Sequence, residues 1–383
     1  MNVPFHKAYI TDEEIKEVID VLRSGWLTMG PKTVIFEKLF NEYIGAKYSI
    51  ALSSCTAALH LALKAVGLKE GEEVIVPTNT FTATGEVVCY SNAKPVLVDI
   101  ERESHNIKVN SIEAAINAST KAIVPVHFGG QPCDIDEIKE LAKRRGIYLI
   151  EDGAHTLPSF YKGKKIGTIG DMTCFSFYAT KTVVTGDGGM ITTDNREWAE
   201  KIKILRHHGI SSDAWKRYSM TGSWYYEVVD AGYKYNITDI QAALGVAQLK
   251  KVELMWEMRK KIAWRYTDEL QRIESIITPV EKPDRESSWH LYVIKLVLET
   301  LNINRAQFIQ LLKERGINTS VHFIPLHRHP FYRDKFGYKN EQFPDAEWVY
   351  ERAISLPIYP GMSEAEVDYV IENIIDLCKK FKK

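Results

Sequence analysis

Between Glu73 and Asp152 the chain alternates short β-branched runs with segments of helical spacing, and this alternation limits the fold more than any other feature. Val74 to Pro77, Pro95 to Asp99, Lys121 to His127 and Ile147 to Ile150 read as strands. Thr82 to Tyr90, Val109 to Asn117 and Ile135 to Arg145 read as helices. Strands joined through helices by short connections require right-handed crossovers and a mainly parallel sheet. The fold class is therefore α/β.

The flanking sequence adds to both ends of this unit. Thr11 with Glu14 forms a capping box ahead of Ile15, Val18, Ile19 and Leu22, and Ser24-Gly25 ends that helix. A second helix covers Lys32 to Tyr43, and Ser49 to Ser53 is a strand leading into a helix that begins near Ser54 to Thr56. Thr173 to Tyr178 and Gly189 to Thr193 are two further strands, followed by a helix from Glu197 to His207. Met220 to Val229 is aromatic-rich and irregular. A long helix is expected from Thr238 to Ile273, with Arg259 to Arg265 as a solvated basic face. Pro279 to Ser288, polar and holding two prolines, is the best candidate linker. Beyond it lie strands at His290 to Leu298 and Thr319 to Phe323, and helices at Arg305 to Arg315, Asp345 to Ala353 and Glu364 to Phe381. The 383 residues thus divide into a large α/β domain, 1–250, and a connecting helix with a small α+β domain, 251–383.

Bulk properties exclude several functions. With 49 basic against 50 acidic residues, the net charge of −1 does not fit a general nucleic-acid or anionic-membrane binder. The five cysteines are scattered, with neither C-x-x-C spacing nor a disulfide framework, so a cytoplasmic location is expected. There is no signal-peptide pattern, and no apolar run reaches the roughly 18 residues of a membrane span. His322, His327 and His329 have irregular spacing and no H-E-x-x-H, so no metal is expected. No Walker, G-x-S-x-G or G-x-G-x-x-G motif is present.

Two residues carry the chemistry. Asp152 arrives at the C-terminal end of a core strand, where open α/β sheets bind ligands. Lys181 lies between two strands, after Ser176, Phe177, Tyr178 and Thr180 and before a glycine-rich turn. The Ser54 to Thr56 helix start is either a plain N-cap or a phosphate site, since free N–H groups and the dipole favour an anion there. With Phe81 as an aromatic face, the set fits pyridoxal 5'-phosphate (PLP). A lysine forms the Schiff base, a carboxylate keeps the ring nitrogen protonated, and the aromatic stacks on the ring.

Five motifs carry a resemblance to a known family: S-S-C-T-A-A-L-H-L-A-L, E-D-G-A-H, F-S-F-Y-A-T-K, G-D-G-G-M-I-T-T-D and G-Y-K-Y-N-I-T-D-I-Q-A-A-L-G. In these the chain resembles the DegT/DnrJ/EryC1/StrS sugar aminotransferases, and the likeness extends from S-G-W-L-T-M-G-P to S-L-P-I-Y-P-G-M. It implies a PLP fold-type I, aspartate aminotransferase-like large domain. Lys181 would be the Schiff-base lysine and acid/base, Asp152 the partner of the pyridine nitrogen, and His155 a neighbour of the ring hydroxyl. Phe81 would stack on the ring, and Thr56, Ala57 and Ser176 would hold the phosphate. Asn236 would reach the phosphate of the neighbouring subunit, which makes the active site a property of a homodimer. Lysine at position 181 disfavours the dehydratase branch, which has histidine there; Cys55 and Gly153 depart from the commoner glycine and alanine. Within the family the chain is most similar to UDP-4-keto-pentose and UDP-4-keto-6-deoxyhexosamine aminotransferases. The implied partners are L-glutamate, 2-oxoglutarate and a nucleotide-linked keto sugar. Trp26, Thr28, Tyr178, His322, His327 and Tyr332 are candidate substrate contacts, each with packing between the domains as the alternative. A PLP-binding regulatory protein of this fold, or another fold-type I enzyme, is the rival reading.

Overall fold

The computed structural model describes residues 1–211 and 225–383, so part of the irregular 220–229 segment, Trp224 included, lies outside the described residues. The strands are β1 (Tyr48–Leu52), β2 (Glu73–Pro77), β3 (Lys94–Val98), β4 (Thr120–Ile123), β5 (Tyr148–Asp152), β6 (Phe160–Tyr161), β7 (Lys164–Lys165), β8 (Met172–Ser176) and β9 (Gly189–Thr193). Seven of them form the central sheet in the order β1-β9-β8-β5-β4-β2-β3. β3, β2, β4, β5 and β8 run parallel, while β9 is antiparallel to both β8 and β1.

The helices of this half are α1 (Asp12–Ser24), α2 (Pro31–Ile44), α3 (Cys55–Ala65), α4 (Thr82–Cys89), α5 (Val109–Ala115), α6 (Ile135–Arg145) and α7 (Arg196–Leu205). Period-2 alternation sends Val74, Val76, Ala122 and Ile150 into one core with Ala58, Leu61 and Ala62 of α3. Ile75, Ile123 and Leu149 enter a second core with Ile138 and Leu141 of α6. Both faces are covered, which is why these strands read as unbroken apolar runs. β4 is shorter than expected, because the chain leaves the sheet after Ile123 and only Val126 bridges back, to Asp152.

The C-terminal half contributes α8 (Asp239–Leu249), α9 (Val252–Leu270), α10 (Arg305–Glu314), α11 (Pro330–Phe336), α12 (Pro344–Arg352) and α13 (Glu364–Lys380). Strands β10 (Ile276–Ile277), β12 (Tyr292–Leu296) and β13 (Ala353–Leu356) make an antiparallel sheet. That sheet shares a core with α9, α10 and α13, and Val3 from the N-terminus joins it.

Four expectations change here. The strand expected from Thr319 to Phe323 reduces to a single bridge, Ser320 to Ser355. The helix expected from Thr238 to Ile273 is broken into α8 and α9 at Lys250 and Lys251. Neither proline nor glycine marks the break; Lys251 leaves the helical path while its Nζ bonds Thr11, the N-cap of α1, and Glu14 within it. Arg259 is not on a solvated face but wholly buried, its Nη1 donating to the Ile358 carbonyl at 2.9 Å. The 279–288 segment is docked rather than free: β11 (Arg285–Glu286) pairs with β6, and Lys282 and Arg285 both bind Asp134.

One carboxylate fastens the N-terminal helices. Asp239, the first residue of α8, accepts from the Gly30, Lys32 and Thr33 amides and the Thr33 hydroxyl at 2.7 to 3.0 Å. It thereby satisfies donors that the α2 N-terminus leaves open. Asp239→Ala strands those buried donors and is expected to cost about 2–4 kcal/mol in urea unfolding. A loss within about 0.5 kcal/mol, the range of an ordinary surface substitution, would contradict this account.

Candidate active site

A cavity of about 600 Å³ opens at the C-terminal ends of the parallel strands. Asp152 ends β5 and Ser176 ends β8, so strand direction alone sends both side chains to that edge. Lys181 lies on the β8–β9 connection, its amide donating to the Tyr178 carbonyl at 2.9 Å. The α3 N-terminus reaches the same rim: a Cβ on Gly189 would sit 2.4 Å from the Ser54 carbonyl oxygen, so only glycine lets β9 pass beneath the helix. Ser54 Oγ caps α3 by accepting from the Ala57 amide at 3.0 Å, leaving Cys55 and Thr56 of the first turn lining the cavity. The opposite wall comes from the C-terminal half, through His290, Ser320, His322, Phe323 and Ile358.

The electrostatics centre on a buried carboxylate and an amine. Asp152 Oδ2 accepts from Thr84 Oγ1 at 2.8 Å and Oδ1 from the Ala154 amide at 3.1 Å. Burial pushes its pKa up, and the Thr84 hydroxyl, the Ala154 amide and Lys181 only partly oppose this. Lys181 opens on the cavity but is otherwise enclosed. Desolvation lowers its amine to about 8, against Cys55 and Asp152, which raise it, and with Arg259 adding to the lowering. A free amine is thus present near neutral pH, where an ordinary lysine is protonated.

Imidazoles surround the amine. His155 Nδ1 accepts from the Gly129 amide at 3.1 Å, and burial holds its pKa well below normal, so it is neutral with its proton on Nε2. His322 Nδ1 lies 2.8 Å from Ser355 Oγ, and burial lowers this histidine to about 4. His290 Nε2 stands 3.5 Å from Lys181 Nζ. Its ring lies 4.4 Å from that of His155.

Of the residues singled out from sequence, Lys181, Asp152, His155, Thr56, Phe81, Ser176, Tyr178 and His322 line this one cavity. Others lie elsewhere. The Ala57 amide is taken by Ser54, and its side chain is buried in the α3 core. His327 is a core histidine, bonded to Thr78 and Glu347 and stacked 4.3 Å from Phe343. Tyr332 is buried with its hydroxyl on Thr82. Trp26 and Thr28 are exposed, apart from the cavity, with the Trp26 indole bonded to the Met29 carbonyl. Asn236 is buried beside Leu52, its Oδ1 without a partner among the described residues. Thr84 and His290 were not singled out. Thr84 lies one turn past Phe81, and only a fold that brings α4 against β5 shows that its hydroxyl serves Asp152.

Residues 8–375 match the model of the DegT/DnrJ/EryC1/StrS aminotransferase family. The chain belongs to that family. The Bacillus subtilis spore coat polysaccharide biosynthesis protein SpsC is 49% identical over 378 residues, covering 98% of this chain and 97% of SpsC. An uncharacterized Methanocaldococcus jannaschii protein is 58% identical, over 97% of this chain and 96% of its own. Among solved structures, the PMP form of Spr1654 from Streptococcus pneumoniae, described as a sugar aminotransferase and also solved in a PLP form, superposes with a TM-score of 0.93 at 36% identity. That alignment covers 99% of this chain and 98% of Spr1654. Helicobacter pylori PseC, an aminotransferase of pseudoaminic acid biosynthesis, reaches 0.93 at 27% identity over the whole of both chains. The central sheet of this aminotransferase is accordingly that of fold-type I.

For this aminotransferase, His327→Leu is expected to cost about 2–4 kcal/mol of stability, since Glu347 and Thr78 lose a buried partner. Urea unfolding and steady-state kinetics together check this. An unchanged unfolding midpoint with a raised KM would return His327 to the substrate site.

Proposed function

We propose that this enzyme transfers the amino group of L-glutamate to a nucleotide-linked keto sugar, a 4-keto sugar being the preferred reading, with PLP as cofactor. The observation that carries it is the pairing of Asp152 with Lys181 in one cavity at the strand ends. The family match supports the reaction type, the PLP and PMP forms of Spr1654 the cofactor, and SpsC and PseC the use in amino-sugar and polysaccharide biosynthesis.

The residues present fit the cofactor. Asp152 is a buried carboxylate whose raised pKa reflects an unmet need for positive charge, which a protonated ring nitrogen supplies. The α3 N-terminus with Thr56 and Ser176 would take the phosphate. Phe81, more than half exposed and facing the cavity, would lie on one ring face, and neutral His155 would donate from Nε2. When bound, the cofactor withdraws electrons from the carbon that bears the amino group and so acidifies its C–H bond. Lys181 anchors the cofactor and, once released, removes a proton from the donor carbon in one half-reaction. It returns a proton to the sugar carbon in the other, and its low pKa leaves the base form available near neutrality. The cavity extends past Phe81 and Tyr178 to His322 and Phe323, and the sugar is assigned to that side. Asn236 is assigned to the phosphate of a neighbouring subunit in a homodimer, through its Nδ2, which in one subunit donates to the Ile237 carbonyl at 3.2 Å.

The functional test is incubation with L-glutamate and a panel of nucleotide keto sugars, read by mass spectrometry for the amino sugar and for 2-oxoglutarate. Product from one 4-keto sugar supports the reading, whereas 2-oxoglutarate without any amino sugar contradicts the acceptor. Lys181→Ala is expected to bind PLP without a covalent link and to lose turnover; robust turnover by that variant removes Lys181 from its role. Thr84→Val deprives Asp152 of a hydroxyl donor and is expected to weaken PLP binding by about 10-fold, one lost hydrogen bond to a charged group. Fluorescence titration of the cofactor-free protein measures it, and unchanged affinity would contradict the role given to Thr84.

A further inference from the structure

Two buried groups, His290 on the cavity wall and Arg259 behind it, have no part in the packing of the sheets or in holding the cofactor. Arg259 projects from α9 and is fully buried with no carboxylate bonded to it among the described residues. Its Nη1 donates to three carbonyls, those of Trp289, His290 and Ile358, at 3.4, 3.3 and 2.9 Å. Its Nε and Nη2 have no partner among the described residues. A guanidinium buried on backbone carbonyls alone is costly, so its retention calls for a role beyond packing.

The carbonyls it holds belong to the segment that carries His290. The His290 amide donates to Ser288 Oγ at 3.2 Å, and its imidazole is buried against His155. Nε2 faces Lys181 Nζ at 3.5 Å, while Nδ1 is buried without a partner among the described residues. A protonated Lys181 amine can only donate, so opposite it Nε2 accepts and the ring keeps its proton on Nδ1. Burial holds it neutral, as do the nearby Lys181 and Arg259 charges.

We propose that His290 is a further residue of the reaction, whose neutral imidazole accepts from the Lys181 amine whenever that amine is free, with Arg259 as the residue that positions it. The inference rests on the reading of Lys181 as the acid/base. In this arrangement His290 keeps the released lysine at the cavity wall and aimed across it, so that the amine does not swing into solvent between its two proton transfers. Arg259 acts through His290 and through its field. The other groups that set the charge of the amine are Asp152 on β5 and Cys55 at the start of α3, and the titratable imidazoles facing it are those of His6, His155 and His322, whose own pKa values Lys181 lowers.

The test is the pH dependence of Lys181 acetylation by acetic anhydride in the full-length, cofactor-free chain, read by peptide mass spectrometry. The midpoint is expected at about 8 in the unaltered protein. His290→Leu removes an acceptor that stabilises the ammonium, so the midpoint should fall, by about one unit. His290→Gln, which keeps an acceptor oxygen, should stay closer to the unaltered value. Arg259→Met removes a positive charge and should move the midpoint the opposite way, upward. In the holoenzyme, single-turnover conversion by L-glutamate should slow by about 10-fold or more in His290→Leu, with partial recovery in His290→Gln.

A purely structural role would let water in and raise the midpoint in every variant toward the ordinary lysine value of about 10.4. That result overturns the proposal, as does an unaltered midpoint and rate in both His290 variants. Should His290→Leu fail to fold, the single-turnover rate of His290→Gln decides it: a rate below that of the unaltered enzyme with the midpoint kept near about 8 supports the proposal, and an unaltered rate overturns it. A midpoint near 10.4 in the unaltered protein would instead overturn the reading of Lys181 itself.

Discussion

A carboxylate and an amine, Asp152 and Lys181, share one desolvated cavity, and the rest of the structure depends on keeping them there. Burying either group alone is unfavourable, and the raised pKa of Asp152 and lowered pKa of Lys181 both record that cost. The fold meets it with directional support. β5 ends at Asp152, α4 supplies the Thr84 hydroxyl, and the Gly153–Ala154 turn supplies an amide. The close pass of Gly189 beneath Ser54 brings the α3 N-terminus to the same rim. These contacts come from separate crossovers, so the sheet must be assembled before the site exists.

The C-terminal half completes the wall of that cavity. His290 comes from the segment before β12, and His322 and Phe323 from the segment after α10 that bridges to β13 at Ser320; all three line the cavity. Arg259 joins the first of these to the stretch after β13 by donating to His290 and Ile358 together. Lys282 and Arg285 reach Asp134 at the start of α6 and tie the chain between β10 and β12 to the large sheet. Cavity shape and the placing of the imidazoles are therefore coupled to how this half sits against the sheet.

Much of this was legible in the sequence, because strand and helix periodicities are local. The alternation from Glu73 to Asp152 shows the parallel sheet, and α6 and β9 fall at the bounds read from periodicity. Asp152 stands out by its place at a strand end, and Lys181 by the aromatic and glycine context around it. What could not be read depends on partners distant in the chain. Arg259 looks solvated within a run of basic residues, yet it meets carbonyls 30 to 99 residues away. His327 looked like a loop ligand, yet its Thr78 partner is 249 residues distant. The break at Lys250 and Lys251 carries no glycine or proline and follows from contacts with α1. Local spacing does not encode such pairings.

The most direct test of the central claim is borohydride reduction of the PLP-loaded enzyme, followed by peptide mapping. This account predicts a single pyridoxyl phosphate adduct on Lys181, one that is absent when L-glutamate is added before the reductant. An adduct on another lysine, or one that L-glutamate leaves in place, would contradict it.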